Sequence, residues 1–457
     1  MSDSDSIILH LGLGSFHRAH QAVYLQALID QRETGWVLAG ANIRGDMQAV
    51  EKALISQNGR YHVETVNPAG ERHYQEIHSI RHVIPWDAGL AGVVAYGARP
   101  EVKIISFTVT EAGYYLTPQH QLDLSFPDLV SDLEAETHLT IYGALAAILN
   151  HRRARHGGKV TLLSCDNLRS NGERFHDGFT AFLAQRGETA LLDWLAQNSS
   201  TPCAMVDRIT PRPSPDIAVR VKQACGVEDQ CPVMAEDFIQ WVIEDDFVAG
   251  RPAWEKVGVE LVGSVLPYEE AKIRLLNAPH ALIAWAGALK NLRYIHEGVQ
   301  EQQIREWSYD YVTNDVLPVL EPSPLDLPAY RDKVLERFSN AYIQDTNQRV
   351  AADGYSKIPG WITPTIRERL ARDESIASVA VIPALFLHFL QRWNQGNVGF
   401  AYQDQAMDEH EVRQMLASPL WLEAFCSDVT LWGDLAGESR LLAAIRTAYD
   451  RILVWLG

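Results

Sequence analysis

Cysteine is scarce and unpatterned. The five cysteines among 457 residues, Cys165, Cys203, Cys225, Cys231 and Cys426, are an odd number without CxxC spacing. That excludes a disulfide framework and a zinc cage, and buried free thiols are expected, although Cys225 and Cys231 are near enough in sequence to pair. Positive charge is also short: 40 Lys and Arg against 58 Asp and Glu leave a net charge of −18. Such a surface repels phosphate backbones and anionic lipid, so nucleic acid is not expected as a partner. Long apolar runs are missing too. The longest, residues 376–390, is broken by Ser378, Pro383 and His388 and falls short of the roughly 20 residues that span a bilayer. The opening Met1-Ser2-Asp3-Ser4-Asp5-Ser6 lacks the basic and apolar regions of a signal peptide, so a cytoplasmic location with no membrane partner is expected. There is no repeat or low-complexity tract, and 12 Trp, 16 Tyr and 13 Phe argue for a packed core.

What is present reads as two domains of different class. Residues 7–11 form a short apolar run ending in Gly12-Leu13-Gly14, and residues 18–32 then carry helical periodicity, the order strand, glycine turn, helix. Residues 36–41, 102–108 and 160–164 are further runs the length of buried parallel strands. Residues 61–66 and 73–80 flank Asn67-Pro68-Ala69-Gly70 as an inserted antiparallel hairpin. Residues 139–153 have helical period. Past residue 262 strands become scarce, and 272–290, 304–320, 330–337, 376–393 and 441–456 all show helical spacing. The expected fold is therefore α/β: a Rossmann-type dinucleotide-binding domain over residues 1–265, then a mostly α-helical substrate and catalytic domain over 266–457.

Gly12-x-Gly14 stands where a dinucleotide turn belongs: Gly12 permits the tight turn, and Gly14 lets backbone N–H groups approach a pyrophosphate. The third glycine of the usual pattern is replaced by His17. A strand-to-helix turn using glycine only for its backbone angles is the plainer reading. After the second strand, Asn42-Ile43-Arg44-Gly45-Asp46 offers Asp46 as the carboxylate for the adenine-ribose hydroxyls, which favours NAD over NADP. Arg44 opposes this, because a guanidinium there would accept the extra phosphate.

Within residues 267–280 Lys272, Asn277 and His280 stand amid Leu275 and Leu276 on a helical segment that continues into Leu282, Ile283 and Trp285. At roughly 100° per residue they fall near 0°, 140° and 80°, one broad face. Buried polar groups need partners, and desolvation lowers a lysine pKa toward a value suited to taking a hydroxyl proton. Pro279 removes an intrahelical bond and crowds the carbonyl of Leu275, so a kink beside Asn277 and His280 is expected.

Gly12-Leu13-Gly14-Ser15-Phe16-His17-Arg18-Ala19, Thr110-Glu111-Ala112-Gly113-Tyr114, Cys165-Asp166-Asn167, Met205-Val206-Asp207-Arg208-Ile209-Thr210-Pro211, the Lys272/Asn277/His280 segment and Arg349 to Lys357 occur in the same order as in the polyol-specific long-chain dehydrogenases. The chain resembles this family, that of mannitol dehydrogenase. The resemblance implies Lys272 as general base, Asn167 and Asn277 as hydrogen-bond donors to the developing alkoxide, and His280 as the holder of a hydroxyl. It further implies Glu269 as a proton relay and Asp207, Arg349 and Lys357 as binders of the remaining substrate. Gly12, Gly14, Ser15 and Phe16 would form the cofactor turn, with Asp46 and Arg44 near the ribose and Thr110 and Glu111 near the nicotinamide. At Pro279 the sequence departs from the family, which is expected to carry a small residue other than proline there.

The expected activity is NAD-dependent, metal-free oxidation of an acyclic polyol to a ketose, with D-arabinitol and D-xylulose as the pair. Mannitol oxidation and hexuronate reduction are alternatives within the family. From another class, a catalytically silent NAD-binding module would need none of the Lys272, Asn167, Asn277 and His280 set. The two histidines of the first helix, His17 and His20, are expected to pack rather than ligate, Asp166 to orient a loop, and Arg208 to form a structural ion pair. The sequence assigns no oligomeric state.

Overall fold

The structure is a computed structural model that describes residues 5–33, 35–117 and 120–457. It divides into two compact units, Met1–Val66 with Glu71–Leu266, and Asn67–Gly70 with Pro267–Gly457.

Among the described residues the strands, all in the first unit, are β1 (Ser6–Leu11), β2 (Trp36–Ala41), β3 (Tyr61–Val66), β4 (Arg72–Ile77), β5 (Ile80–Val83), β6 (Val102–Phe107), β7 (Val160–Ser164), β8 (Ser199–Ser200), β9 (Ala204–Asp207), β10 (Val233–Glu236), β11 (Gln240–Glu244) and β12 (Glu260–Val262). Six of them form one parallel sheet in the order β5-β2-β1-β6-β7-β8. Counted within that sheet, the order is 3-2-1-4-5-6, the doubly wound Rossmann arrangement. The inner strands are nearly continuous apolar runs because helices cover both faces; β7, for example, is buried at every position. Strand order reverses at the β1/β6 pair, the point at which doubly wound sheets take a ligand beyond the carboxyl ends of their strands.

The apolar runs place β1, β2, β6 and β7 to within a residue, but not β5. The expected hairpin strand 73–80 ends at Ile77, in antiparallel pairing of Tyr61 with Ile77 and Val66 with Arg72. Ile80 instead begins β5, beside β2. Four residues are too few for periodicity to separate this strand from its neighbour. Two small sheets, β10-β3-β4 and β12-β11-β9, complete the unit.

The first helix also differs from the expected 18–32. It begins at Ser15, breaks at His20, where φ is −128° and ψ −85°, and resumes as Gln21–Asp30. In the second unit, helix Ala278–Leu289 is buried at all twelve positions and forms the core, as a helix apolar all round must.

Among the described residues this unit has three π-helical turns, Ile273–Asn277, Tyr311–Val316 and Ile358–Ile362. The first packs against the other two. Each leads into a helix with proline in its first turn: Pro279, Pro318 and Pro364. In each case the carbonyl four residues before the proline, that of Leu275, Asn314 or Gly360, lies inside the π-turn. Proline supplies no N–H to that carbonyl and its ring crowds it, and a widened turn removes both conflicts. The backbone irregularity expected at Pro279 is thus a π-turn. Because a π-turn rotates less per residue than an α-helix, Asn277 sits closer in azimuth to Lys272 than the uniform helix count implied.

Candidate functional site

At the first turn, Gly12 has φ +115°, and a Cβ there would lie 2.5 Å from the Thr108 carbonyl oxygen. The position therefore accepts glycine alone. At Gly14 a Cβ would meet nothing within 4 Å, leaving open space where the chain enters the helix. His10 Nε2 lies 3.1 Å from the Gly12 carbonyl and 3.2 Å from the Thr108 hydroxyl, and Nδ1 lies 2.8 Å from the Ser106 hydroxyl. His17, which replaces the third glycine, lies flat on His10, with ring centroids 3.4 Å apart and planes inclined by 8°. Burial pushes His10 down to about 3 and His17 well below the usual range, so two neutral imidazoles fill the helix-to-strand contact. His20 stacks on Phe16 and meets Trp241 edge-on. Both helix histidines pack.

After β6, Thr110 has φ +65° and ψ +168°, a region that costs a β-branched residue about 1–3 kcal/mol. Asp166 holds it there. Its carboxylate accepts the N–H groups of Val109 and Thr110 at 2.9 and 2.8 Å and the Tyr114 hydroxyl at 3.0 Å. Burial raises Asp166 to about 6 against these donors. Thr110 and Glu111 are exposed at the carboxyl end of β6, and Asn167, next to Asp166, is exposed beyond β7. Asp207 is buried at the end of β9, opposite Gln240. Arg208 does not form the expected ion pair as its main contact: its guanidinium donates to the backbone carbonyls of Glu236 and Ala19, because the buried donors face chain segments lined with carbonyl oxygens.

In the second unit Glu269 and Lys272 are buried on helix Leu266–Lys272, Asn277 closes the first π-turn, and His280 is buried in the next helix. Arg274 donates to Glu270 at 2.9 Å and to Glu368 at 2.6 and 2.8 Å, pinning the π-turn. His280 stacks on Phe338 at 4.5 Å, and its Nε2 lies 3.2 Å from Asp345 Oδ2. Arg349 clasps the same carboxylate, Nε at 2.7 Å and Nη2 at 2.5 Å. Burial lowers His280, partly opposed by Asp345, and leaves it neutral at pH 7. Lys357 donates to the Val350 carbonyl at 2.7 Å, lies 5.3 Å from the Trp361 ring centre, and is pushed down to about 8 by burial. Asp345 thus joins His280 to Arg349, and the turn that carries Asn277 packs against the one that follows Lys357.

Profile comparison matches residues 6–256 to the mannitol dehydrogenase Rossmann domain and residues 264–453 to the mannitol dehydrogenase C-terminal domain. The chain belongs to the mannitol dehydrogenase family. Within it, the chain is 56% identical to D-arabinitol 4-dehydrogenase of Ralstonia nicotianae, over 98% of this chain and 97% of that one. It is 52% identical to the Klebsiella pneumoniae protein of the same name, over 96% of each. Among solved structures, mannitol 2-dehydrogenase of Pseudomonas fluorescens, in ternary complex with NAD and D-mannitol, superposes with a TM-score of 0.86 at 32% identity, covering 99% of this chain and 92% of that one.

Some features of this family member were not legible as site residues. Asp345, between His280 and Arg349, looks in sequence like any loop acid; its only signal is its place four residues before Arg349, one helical turn away. Asp166 was read as orienting a loop, yet the strain it sustains at Thr110 has no sequence mark. Of the cysteines, Cys225 is exposed and the other four are buried, all of them free; Cys225 ends the surface helix Pro215–Cys225, where no core reaches it. Among the described residues, no helix is long and apolar enough to cross a membrane.

Proposed function

We propose that this enzyme oxidises a secondary alcohol of an acyclic polyol to the ketose with NAD, and that D-arabinitol and D-xylulose are its pair. The observation that carries the reading is the burial of Lys272, Asn277 and His280 within one helical stretch, alongside Glu269 and the ion-paired Arg274. Burying polar side chains costs stability that partners only partly offset, so keeping three of them on this stretch fits a site that uses them. The near full-length likeness to two proteins named D-arabinitol 4-dehydrogenase supports the choice of substrate. On this reading residues 1–265 bind the dinucleotide and 266–457 carry the substrate chemistry.

The unclashed approach at Gly14 and the obligatory glycine at Gly12 fit a pyrophosphate, with Ser15 and Phe16 continuing the turn and Asp46 serving the ribose. NAD, when bound, supplies the hydride acceptor. Lys272 takes the hydroxyl proton, and Glu269, one turn earlier, passes it on toward water. Asn277 and Asn167 donate to the oxygen as it gains charge, and neutral His280 orients a hydroxyl. Asp207, Arg349 and Lys357 bind the remaining hydroxyls, and no metal is required.

The test is a panel of D-arabinitol, D-mannitol, D-sorbitol, xylitol and D-altronate with NAD and NADP, ranked by kcat/KM. D-arabinitol with NAD should lead. A lead for D-mannitol or D-altronate would reassign the substrate within the family, and NAD binding without turnover on any of them would make the chain a silent module.

A further inference from the structure

The segment after β2 is built, not loose. Asn42 accepts the Leu13 N–H at 2.8 Å and donates to Glu51 at 2.7 Å. Glu51 also accepts the Trp86 N–H at 3.1 Å, and the Trp86 indole donates to the Ile43 carbonyl at 3.2 Å. A Cβ on Gly45 would lie 3.0–3.1 Å from the Trp86 ring, so the turn rests flush on the indole. This frame presents Arg44 and Asp46 side by side, where a Rossmann fold reads the adenine ribose.

Arg44 is not a free cation in this frame. Its guanidinium donates to Asp128 Oδ2 at 2.5 Å, to the Tyr115 hydroxyl at 2.6 Å and to the Leu139 carbonyl at 3.3 Å. Three separate segments converge on one side chain, yet Arg44 and Asp128 remain 46% and 40% exposed, within reach of a ligand. Asp46 is exposed as well.

We propose that Asp128 determines cofactor choice: it holds and neutralises Arg44, which would otherwise accept the 2′-phosphate of NADP. The inference rests on the dinucleotide reading above. Arg44, Asp46 and Asp128 together carry one net negative charge beside the ribose. A phosphate of about −2 charge is repelled there, whereas two hydroxyls are not. Asparagine at position 128 brings the cluster to neutrality and releases the guanidinium.

The experiment compares wild type, Asp128→Asn, Arg44→Ala and the double variant, measuring kcat/KM with NADP and NAD and, independently, NADPH and NADH dissociation constants by fluorescence titration. Because exposed charge pairs are individually weak, the NADP-to-NAD ratio should rise about two- to fivefold in Asp128→Asn. In the double variant the gain should vanish, since it acts through Arg44. Tyr115→Phe, which loosens Arg44 without changing charge, should leave the ratio within about twofold of wild type. An unchanged ratio in Asp128→Asn, or a gain that persists without Arg44, would overturn the proposal. The binding titrations read it even if no polyol turns over, which would sink only the substrate assignment. A wild type that binds neither dinucleotide would sink both.

Discussion

Replacing Asp345 with asparagine keeps the shape of the side chain and removes the charge that holds His280 and Arg349 together. Asp345 is 8% exposed, whereas the Arg349 side chain is 55% exposed. A charge-assisted hydrogen bond is worth about 1.5–3 kcal/mol when dry, and an exposed ion pair about 1 kcal/mol or less. His280 Nε2 lies near the carboxylate without a well-aligned hydrogen bond, so it and the Arg349 clasp together are counted at about 1–2 kcal/mol of lost orientation, or about 5- to 30-fold in kcat/KM. On the proposed roles most of it should appear in KM, because both partners would bind hydroxyls rather than move the proton.

The pH dependence follows from sign. Burial alone would raise the Asp345 carboxyl, but His280 and Arg349 outweigh it and hold it well below the usual carboxylate range. A depressed native pKa contributes stability above the ordinary aspartate value of about 3.9, and that contribution is lost as pH falls below it. The deficit of Asp345→Asn in thermal midpoint should therefore be constant from about pH 6 to 9 and shrink below about pH 4. Steady-state kinetics with D-arabinitol and thermal melts across pH check both halves. A variant within twofold of wild type in kcat/KM would refute the argument.

Lys272→Ala should cut kcat by about 10²- to 10⁴-fold while NADH titration stays at the wild-type value, and near-normal turnover would remove Lys272 from the base role. Asn277→Ala and Asn167→Ala should each cost about 2.7–4 kcal/mol in kcat; a fall in thermal midpoint with full activity per folded molecule would instead make them structural. Lys357, pushed down to about 8, loses its proton as pH rises through that value, so KM for the polyol should climb above pH 8, and Lys357→Arg should abolish that limb because arginine stays charged. Prolonged chelation should leave activity unchanged, and loss restored by one particular metal would overturn the lysine mechanism.

Sequence reading reached furthest where one strong local signal decided the outcome. The runs at β1, β2, β6 and β7 are apolar on both faces, and the Gly12 turn follows the first of them directly. It failed where geometry arises between distant segments. β5 is recognisable only through its pairing with β2. The break at His20 lies where that ring stacks on Phe16 and meets Trp241, a tryptophan far along the chain. Pro279 announced a disturbance in the helix, but its form depends on two further π-turns that pack against it. Asp345 and Asp128 were invisible for the same reason: each matters through a cation that the fold carries to it.

The proline-capped π-turns behave as phase shifters. Relative to an unbroken α-helix, a π-turn holds one extra residue, so everything before it is rotated by about 100° about the axis relative to everything after it. At Ile273–Asn277 the upstream part carries Glu269 and Lys272 and the downstream part His280. The slip therefore sets the angle between the Glu269 and Lys272 side chains and the His280 imidazole without altering any of them. A lineage could retune that angle by gaining or losing a single codon, a coarser adjustment than any substitution, and the proline two residues on would penalise reversion to the unslipped register.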